Sequence, residues 1–385
     1  MIGGKYKKLI YILLTLTLSL FVCEFFLRVY WEPREKSLYP FLQNPFIGQN
    51  VYYPNKKYIV PHIITPYSMK KDNIIETTNA FGFRSSSMKE IKKEKNVYRI
   101  FFLGDSTIAQ MNLPENETSW KIIEECRNKN SNKIRFECIN AGMNSMDSQT
   151  AVAIMAHELI HYDPDMVIIM LGINDLSSVF LQRRYDPFHK RRIAYSLPFR
   201  DILKELYKKS YTCIFIKRNI FDRITNASYK EPELTKLEKL RAKWKKAQKK
   251  IFTDFPSINE FKKNIKSLIG ITKTNNIRIC FLTQPSLYSE NMPEEQTDVT
   301  WCVNEEDSVT ADVSTLYRGM NIFNEQIRVI CRENNTEFID IANKVPKDLR
   351  YFIDQCHYTP QGAELIARNI ISYFEENEEK FAYAK

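Results

Sequence analysis

Short apolar runs alternate with longer amphipathic segments from residue 97 to residue 375, and this alternation restricts the fold more than any other feature. The apolar runs predict strands at 97–103, 134–139, 166–171, 277–282 and 336–341. The amphipathic segments predict helices at 116–129, 148–162, 257–274, 316–333 and 361–375. Strands separated by helix-length crossovers pair in parallel, with the helices covering the sheet. We therefore predict a three-layer α/β/α domain with a five-stranded, mainly parallel sheet.

The first 30 residues form an apolar segment that is typical of a membrane anchor. The run Leu9–Cys23 continues past Glu24 to Leu27, which makes 19 residues, close to the roughly 20 that span a bilayer. A cleaved signal peptide is the alternative. Because no small-x-small cleavage pattern follows the run, we interpret it as an uncleaved, single-pass anchor. A large domain after so short an N-terminus favours a location outside the cytoplasm, at the cell membrane.

The composition of the chain divides it into three parts. We assign residues 1–30 to the anchor, 31–90 to a stalk and irregular N-terminal layer, and 91–385 to the α/β domain. A basic, largely helical insertion at about 183–255 interrupts the domain, and 183–250 holds 21 basic and 7 acidic residues. This insertion could lie on an anionic membrane, face an acidic glycan, cover the site as a lid, or be a solvated helix. We expect no nucleic-acid partner, because an anchored domain outside the cytoplasm rarely meets nucleic acid.

The stretch AHELIHYD, residues 156–163, contains H-E-x-x-H. On a helix this spacing puts His157 and His161 on one face, where both could bind zinc with Glu158 as the base. A zinc peptidase needs a third protein ligand, but Pro164 ends the helix and an apolar strand follows at once. The pair should also lie at the amino-terminal edge of the sheet, away from the edge where ligands bind. We therefore predict no metal and no cofactor.

Four polar motifs follow predicted strands at the edge where open α/β sheets bind ligands. In chain order they are GDS (104–106), NAG (140–142), GIND (172–175) and DQCHYTPQG (354–362). Each motif alone could be a helix cap, a turn or a loop glycine. Because the carboxyl ends of parallel strands share one edge, we expect the four motifs to form one site.

The four motifs resemble the sequence blocks of SGNH hydrolases of the GDSL type, which are named for a serine, a glycine, an asparagine and a histidine. The matching residues are Ser106, Gly142, Asn174 and His357, in the order and spacing of the family. The resemblance implies the flavodoxin-like fold of these enzymes.

The resemblance extends over roughly residues 97–375. The stretch NAFGFRS (79–85) also resembles a segment that membrane-anchored members carry ahead of the first block. Two departures leave the substrate open: the first block reads GDSTIA where the family often has leucine, and the insertion that begins near residue 183 is long.

The resemblance implies a catalytic serine with its base and a carboxylate. A serine hydroxyl is a weak nucleophile until a base takes its proton, and these roles fall to Ser106 and His357. Asp354 would fix the tautomer of the imidazole. The implied oxyanion hole consists of the backbone N–H groups of Ser106 and Gly142 and the side-chain amide of Asn174.

The implied activity is hydrolysis of O-acyl esters through an acyl-enzyme, with O-acetyl carbohydrate or lipid as the substrate class. Two alternatives stay open: acyl transfer to a cell-surface glycan by the same residues, and a non-catalytic module for glycan binding or assembly. The expected partners are an ester substrate, with a glycan or a lipid as the candidates, and the membrane through the N-terminal helix. The sequence leaves the oligomeric state open.

Overall fold

The computed structural model describes residues 4–30, 41–44, 49–52, 54–55, 57–60, 74–130, 134–181, 210–216, 233–303 and 309–381. The chain divides into two units, residues 1–40 with 188–232 and residues 41–187 with 233–385. All five predicted strands lie in the second, larger unit.

The described strands, in chain order, are β1 (Phe41–Asn44), β2 (Gln49–Tyr52), β3 (Lys57–Val60), β4 (Ile74–Thr77), β5 (Val97–Gly104), β6 (Arg135–Asn140), β7 (Met166–Met170), β8 (Gln248–Lys250), β9 (Arg278–Leu282), β10 (Val309–Ala311) and β11 (Glu337–Ile339).

The described α-helices are α1 (Gly4–Tyr30), α2 (Ser106–Ala109), α3 (Ser119–Asn130), α4 (Ser148–His157), α5 (Ile173–Leu181), α6 (Tyr211–Ile216), α7 (Glu233–Lys246), α8 (Ile258–Thr274), α9 (Glu294–Thr297), α10 (Val313–Glu333) and α11 (Pro360–Glu376). Short 3-10 helices lie at Glu115–Glu117, Leu159–Tyr162, Ile341–Asn343 and Glu378–Phe381.

The central sheet has the strand order β11-β9-β7-β5-β6, and every neighbouring pair is parallel. This is the flavodoxin-like order, in which the direction of winding reverses between β5 and β7. Ligands of such folds bind in the crevice outside the carboxyl ends of the strands at this reversal. The predicted fold class is confirmed, and β5 and β7 lead into the GDS and GIND motifs.

The core lies in two layers because the sheet is covered on both faces. Along β5, Ile100 and Phe102 belong to one buried cluster, and Phe101 and Leu103 belong to the other. This follows from the period of two in a strand. Helices α3 and α11 cover the first face, and α4, α8 and α10 cover the second. A strand buried on both faces needs a continuous apolar run, which is why these strands were recognisable in the sequence.

The H-E-x-x-H stretch does not continue as one helix. Helix α4 ends at His157, because the backbone of Glu158 leaves the helical region at φ −134°, and a 3-10 turn carries His161. The two histidines are exposed and do not share a helical face. They precede β7, at its amino-terminal end, as the sequence indicated.

The smaller unit contains the apolar helix α1. Its segment Ile10–Tyr30 has a mean hydropathy of 2.2, none of it is buried, and it is long enough to cross a bilayer. Within the helix, the Glu24 carboxylate pairs with Arg28 and accepts from the backbone N–H of Thr212 (2.8 Å) and the hydroxyl of Ser210 (3.0 Å) at the start of α6. A carboxylate in an apolar helix is therefore partnered, as such groups usually are.

Parts of the predicted stalk and insertion lie outside the described residues, including 31–40, 61–73, 182–209 and 217–232. The end of the predicted insertion belongs to the larger unit, where Trp244 of α7 is fully buried. Strand β8, which follows, pairs in parallel with β10.

The NAFGFRS stretch forms a tight turn that inserts an arginine beneath the first block. The side chain of Asn79 accepts from the backbone N–H groups of Phe81 (2.9 Å) and Phe83 (3.0 Å). The guanidinium of Arg84, a residue only 2% exposed, donates to the carbonyl of Ala109, the last residue of α2, and to that of Leu113 in the following turn. This stretch therefore supports the turn that carries Ser106.

We expect Arg84→Ala to lower the free energy of unfolding by about 3 kcal/mol, because it leaves buried carbonyls without a charged donor. Denaturant unfolding of the purified protein in detergent measures this. Arg368→Ala is the control, since Arg368 pairs with Glu364 on the exposed face of α11 and should change the value by at most about 0.5 kcal/mol. Equal stability of the two variants would contradict a supporting role for Arg84.

Candidate active site

Ser106 opens a short helix directly after the central strand β5. A Cβ at Gly104 would overlap the carbonyl oxygen of Met170 on β7, so only glycine allows the two strands to approach here. Asp105 caps the helix: its side chain accepts from the N–H (2.8 Å) and the hydroxyl (2.7 Å) of Thr107. Gly104 and Asp105 are thus explained by the structure of this turn, and Ser106 lies half-buried at the sheet edge.

Asp105 is fully buried and also accepts from Gln284 Nε2 at 2.9 Å. Burial raises the pKa of this carboxyl, although the hydrogen bonds from Thr107 and Gln284 act in the opposite direction. The Gln284 carbonyl oxygen Oε1 accepts from the N–H of Ile173 at 2.7 Å. Gln284, which sequence reasoning missed, therefore joins the loops after β5, β7 and β9.

The structure brings Ser106, His357 and Asp354 together. His357 Nε2 lies 2.8 Å from Ser106 Oγ, and His357 Nδ1 lies 2.7 Å from Asp354 Oδ2. Ser106 and His357 are 251 positions apart, so this contact depends entirely on the fold. The arrangement can pass a proton from the serine hydroxyl to the imidazole while the carboxylate holds the other ring nitrogen.

A tight turn holds Asp354 against His357. Oxygen Oδ1 of Asp354 accepts from the backbone N–H groups of Cys356 (2.9 Å) and His357 (2.8 Å), and the Ile353 N–H donates to the His357 carbonyl (2.9 Å). The D-x-x-H spacing therefore lets one carboxylate bind both the backbone and the ring of the same histidine.

The electrostatics of the pair favour a carboxylate and an imidazolium. Burial by itself would raise the pKa of Asp354, but the charge and hydrogen bonds of His357 and the N–H of Cys356 outweigh it and hold this pKa at about 2. Burial by itself would lower the pKa of His357, but Asp354 and Cys356 raise it well above 6.5. The neutral imidazole, which is the form able to accept a proton, is therefore reached only at a higher pH than in free histidine.

Asn174 lies in the first turn of α5 and is half-buried. Its side-chain Nδ2 donates to the carbonyl of Met146 at 2.9 Å. A side-chain amide has two N–H donors, so one bond to Met146 fixes the amide while leaving a second donor. The neighbouring Asp175 carboxyl binds the N–H and the hydroxyl of Ser148, and it thereby ties the loop after β7 to the loop after β6.

Gly142 lies against the end of α2. A Cβ there would come within 2.6 Å of the backbone nitrogen of Ala109, which explains the need for glycine. The Gly142 N–H donates to Asn140 Oδ1 at 2.8 Å, and Asn140 Nδ2 donates to the carbonyls of Ile108 and Ala109 at 3.1 Å each. In this structure the Gly142 N–H therefore has a protein partner. The asparagine of the NAG motif is the residue that joins this loop to α2.

Asn112 and Trp301 are two further residues of the site that the sequence analysis did not select. Asn112 Nδ2 donates to the carbonyl of Tyr358 at 2.8 Å, and Trp301 Nε1 donates to Asp354 Oδ2 at 3.0 Å. Neither residue belongs to a recognisable motif, so no signal in a single sequence identifies them.

Comparison with known proteins identifies one family. Residues 102–365 match the GDSL-like Lipase/Acylhydrolase family. No curated protein matches the chain significantly.

Solved structures that match this chain include an acetylxylan esterase from Geobacillus stearothermophilus. It is 15% identical, with 72% of this chain and 95% of that chain covered and a TM-score of 0.41. A lipase/acylhydrolase from Enterococcus faecalis is 13% identical, with 73% and 96% covered and a TM-score of 0.41. The family match spans more than half of the chain and includes all four blocks. The protein therefore belongs to the GDSL-like lipase/acylhydrolase family and is an enzyme that hydrolyses ester bonds.

Proposed function

We propose that this protein is a membrane-anchored serine esterase that uses Ser106, His357 and Asp354 as a catalytic triad. The observation that carries the proposal is the chain of two short contacts, 2.8 Å from Ser106 Oγ to His357 Nε2 and 2.7 Å from His357 Nδ1 to Asp354 Oδ2.

In the first half-reaction, Ser106 Oγ attacks the ester carbonyl carbon and its proton passes to His357 Nε2. Asp354 stabilises the imidazolium that forms. The alcohol then leaves with the proton from His357, and Ser106 carries the acyl group. In the second half-reaction, water attacks the acyl-enzyme and His357 accepts its proton. The bond between the acyl carbon and Ser106 Oγ then breaks, His357 returns the proton to Oγ, and the acid is released.

The oxyanion hole in this proposal consists of the N–H groups of Ser106 and Gly142 and the Asn174 amide. The Ser106 N–H is the first of its helix, where amides have no intrahelical acceptor. The bond from Asn174 to the Met146 carbonyl supports a fixed amide direction, which oxyanion stabilisation requires. The Gly142 N–H would have to exchange Asn140 Oδ1 for the substrate oxygen.

The proposed substrates are O-acyl esters with a short acyl group, on a cell-surface carbohydrate or on lipid. The proposed location is the cell membrane, with α1 as a single uncleaved span and the catalytic unit outside the cytoplasm. The length and apolar composition of α1 support the span. The family resemblance supports the substrate class.

Labelling with a fluorophosphonate probe tests the nucleophile. We expect the full-length protein in detergent to be labelled at Ser106, because the hydrogen-bonded imidazole activates this hydroxyl. Peptide mass spectrometry locates the modified serine, and labelling should be lost in Ser106→Ala and in His357→Ala. Label on another serine, or undiminished labelling of Ser106→Ala, would refute the triad.

The same preparation separates hydrolysis from the two alternatives. An esterase hydrolyses p-nitrophenyl acetate in plain buffer. An acyltransferase would form product mainly when a sugar acceptor is added, and a non-catalytic glycan module would neither hydrolyse the ester nor react with the probe.

A further inference from the structure

We propose that Trp301 is a positioning residue for the Asp354–His357 pair, an inference that rests on the proposed triad. The indole Nε1 donates to Asp354 Oδ2 at 3.0 Å, and the same oxygen faces His357 Nδ1 at 2.7 Å. The indole and imidazole planes are within 7° of parallel, with centroids 6.4 Å apart. Trp301 thus contacts the carboxylate directly and acts on the base through it.

Asp354 receives four hydrogen bonds from the part of the chain that the structure describes. Oδ1 accepts from the backbone N–H groups of Cys356 and His357, and Oδ2 faces the His357 ring and the Trp301 indole. Three of these donors belong to the turn that carries the carboxylate and would move with it. The Trp301 indole lies 53 positions away along the chain. Of the four donors to this carboxylate, it is the one that comes from outside the turn, so it ties the carboxylate to another segment of the unit.

A second set of bonds holds Trp301 itself in place. Its backbone N–H donates to Gln355 Oε1 at 3.3 Å. The guanidinium of Arg241, on α7, donates to the carbonyls of Val299 (3.3 Å) and Ile353 (3.2 Å), so it joins the segment before Trp301 to the segment before Asp354. The indole therefore has a fixed direction, which a positioning role requires.

Losing the indole donor should make the base stronger. A hydrogen bond from a neutral donor spreads the charge of the carboxylate and lowers its basicity. Without it, Asp354 attracts the imidazolium more strongly, and His357 stays protonated to a higher pH. The other titratable groups around the pair are Cys356 in the same turn, Asp105 after β5, Arg241 on α7, Tyr288 after β9, Cys302 beside Trp301, and Tyr358. All of them remain when only Trp301 is replaced.

The test is Trp301→Phe in the full-length protein in detergent, with kcat/KM for p-nitrophenyl acetate measured against pH. Phenylalanine keeps an aromatic ring and removes the N–H. We expect the acid limb of the profile to move to higher pH by roughly one unit, as the loss of one hydrogen bond to a charged group implies. On that limb kcat/KM falls about tenfold, and the high-pH plateau changes by a smaller factor.

Trp120→Phe is the matched control. Trp120 is buried on α3, and its indole N–H has no hydrogen-bond partner among the described residues. This control should leave the acid limb in place. If Trp301→Phe lowers kcat/KM by the same factor at every pH, Trp301 serves only packing and the inference is overturned.

An NMR titration of a His357 ring proton measures the pKa of His357 without catalysis. The signal is assigned by its absence in His357→Ala. A raised His357 pKa in Trp301→Phe supports the inference even if p-nitrophenyl acetate is a poor substrate, and an unchanged value overturns it. Ser106-independent activity would instead refute the proposed function, and the titration would still report on the Trp301 contact.

Discussion

Replacing Ser106 by alanine is expected to lower kcat for ester hydrolysis by about 10⁶-fold, and His357→Ala should lower it by a similar factor. The two residues act as one unit, because the hydroxyl is nucleophilic only while the imidazole 2.8 Å away accepts its proton. For the same reason, the double variant should be little worse than either single variant. Steady-state hydrolysis of p-nitrophenyl acetate measures all three.

Ser267→Ala is the control for this series, since the Ser267 hydroxyl bonds only within the exposed face of α8 in the described structure. It should retain wild-type kcat, and unfolding curves should show that Ser106→Ala is as stable as the wild type. A Ser106→Ala variant with more than a few per cent of wild-type kcat would contradict acyl-enzyme formation at this residue.

Asp354→Asn is expected to lower kcat/KM by about 10⁴-fold, because the amide stabilises the wrong imidazole tautomer and does not stabilise the imidazolium. It should also move the acid limb of the pH profile downward. In the wild type the Asp354 carboxylate raises the pKa of His357 well above 6.5, so activity rises with pH through that higher value. Without this anion, burial lowers the His357 pKa, and the residual activity should rise at a lower pH.

Measuring the residual kcat/KM of Asp354→Asn from pH 5 to pH 10 tests whether the acid limb moves to lower pH. Asp348→Asn is the control, because Asp348 is partly exposed, pairs with Arg350 and should leave the profile unchanged. An acid limb of Asp354→Asn at or above the wild-type position would show that another group sets the pKa of the base. This movement of the acid limb to lower pH is opposite to the movement expected for Trp301→Phe. The two variants therefore test, in opposite directions, whether the charge on Asp354 sets the pKa of His357.

The five central strands and their helices could be predicted because their signals are local. A strand buried on both faces, such as β7 with the sequence MVIIM, needs an uninterrupted apolar run. Helix α11 begins where Thr359 caps it and Pro360 occupies the first turn. The fifth strand, predicted over 336–341, is shorter in the structure (Glu337–Ile339), because it lies at the sheet edge and pairs only with β9. An edge strand has one partner to define its ends.

The break in the predicted helix 148–162 had a different origin. The apolar period continues through Leu159, which is buried, but the backbone changes at Glu158. Hydrophobic periodicity indicates which side chains face the core. It does not detect a change in backbone conformation when the side chains that follow can still reach the core.

The family resemblance was sufficient to select Ser106, Asn174, Asp354 and His357 as candidate site residues, and the parallel sheet predicted one edge for their motifs. The resemblance was not sufficient to find the partners of these motifs. Gln284 reaches Asp105 from 179 positions away, and Trp301 reaches Asp354 from 53 positions away. Both contacts depend on where two loops meet, and a single sequence carries no signal for the distance between loops.

The family and the parallel sheet were thus readable from residue types and their order, because hydrophobic period and strand-end motifs involve only a few neighbouring positions. Other features arise only when distant segments pack together. They are the contact between Ser106 and His357, 251 positions apart, the burial that acts on the pKa values of Asp354 and His357, and the indole bond to Asp354 from 53 positions away. Distance and burial are properties of the folded chain, and they determine how strong the base is.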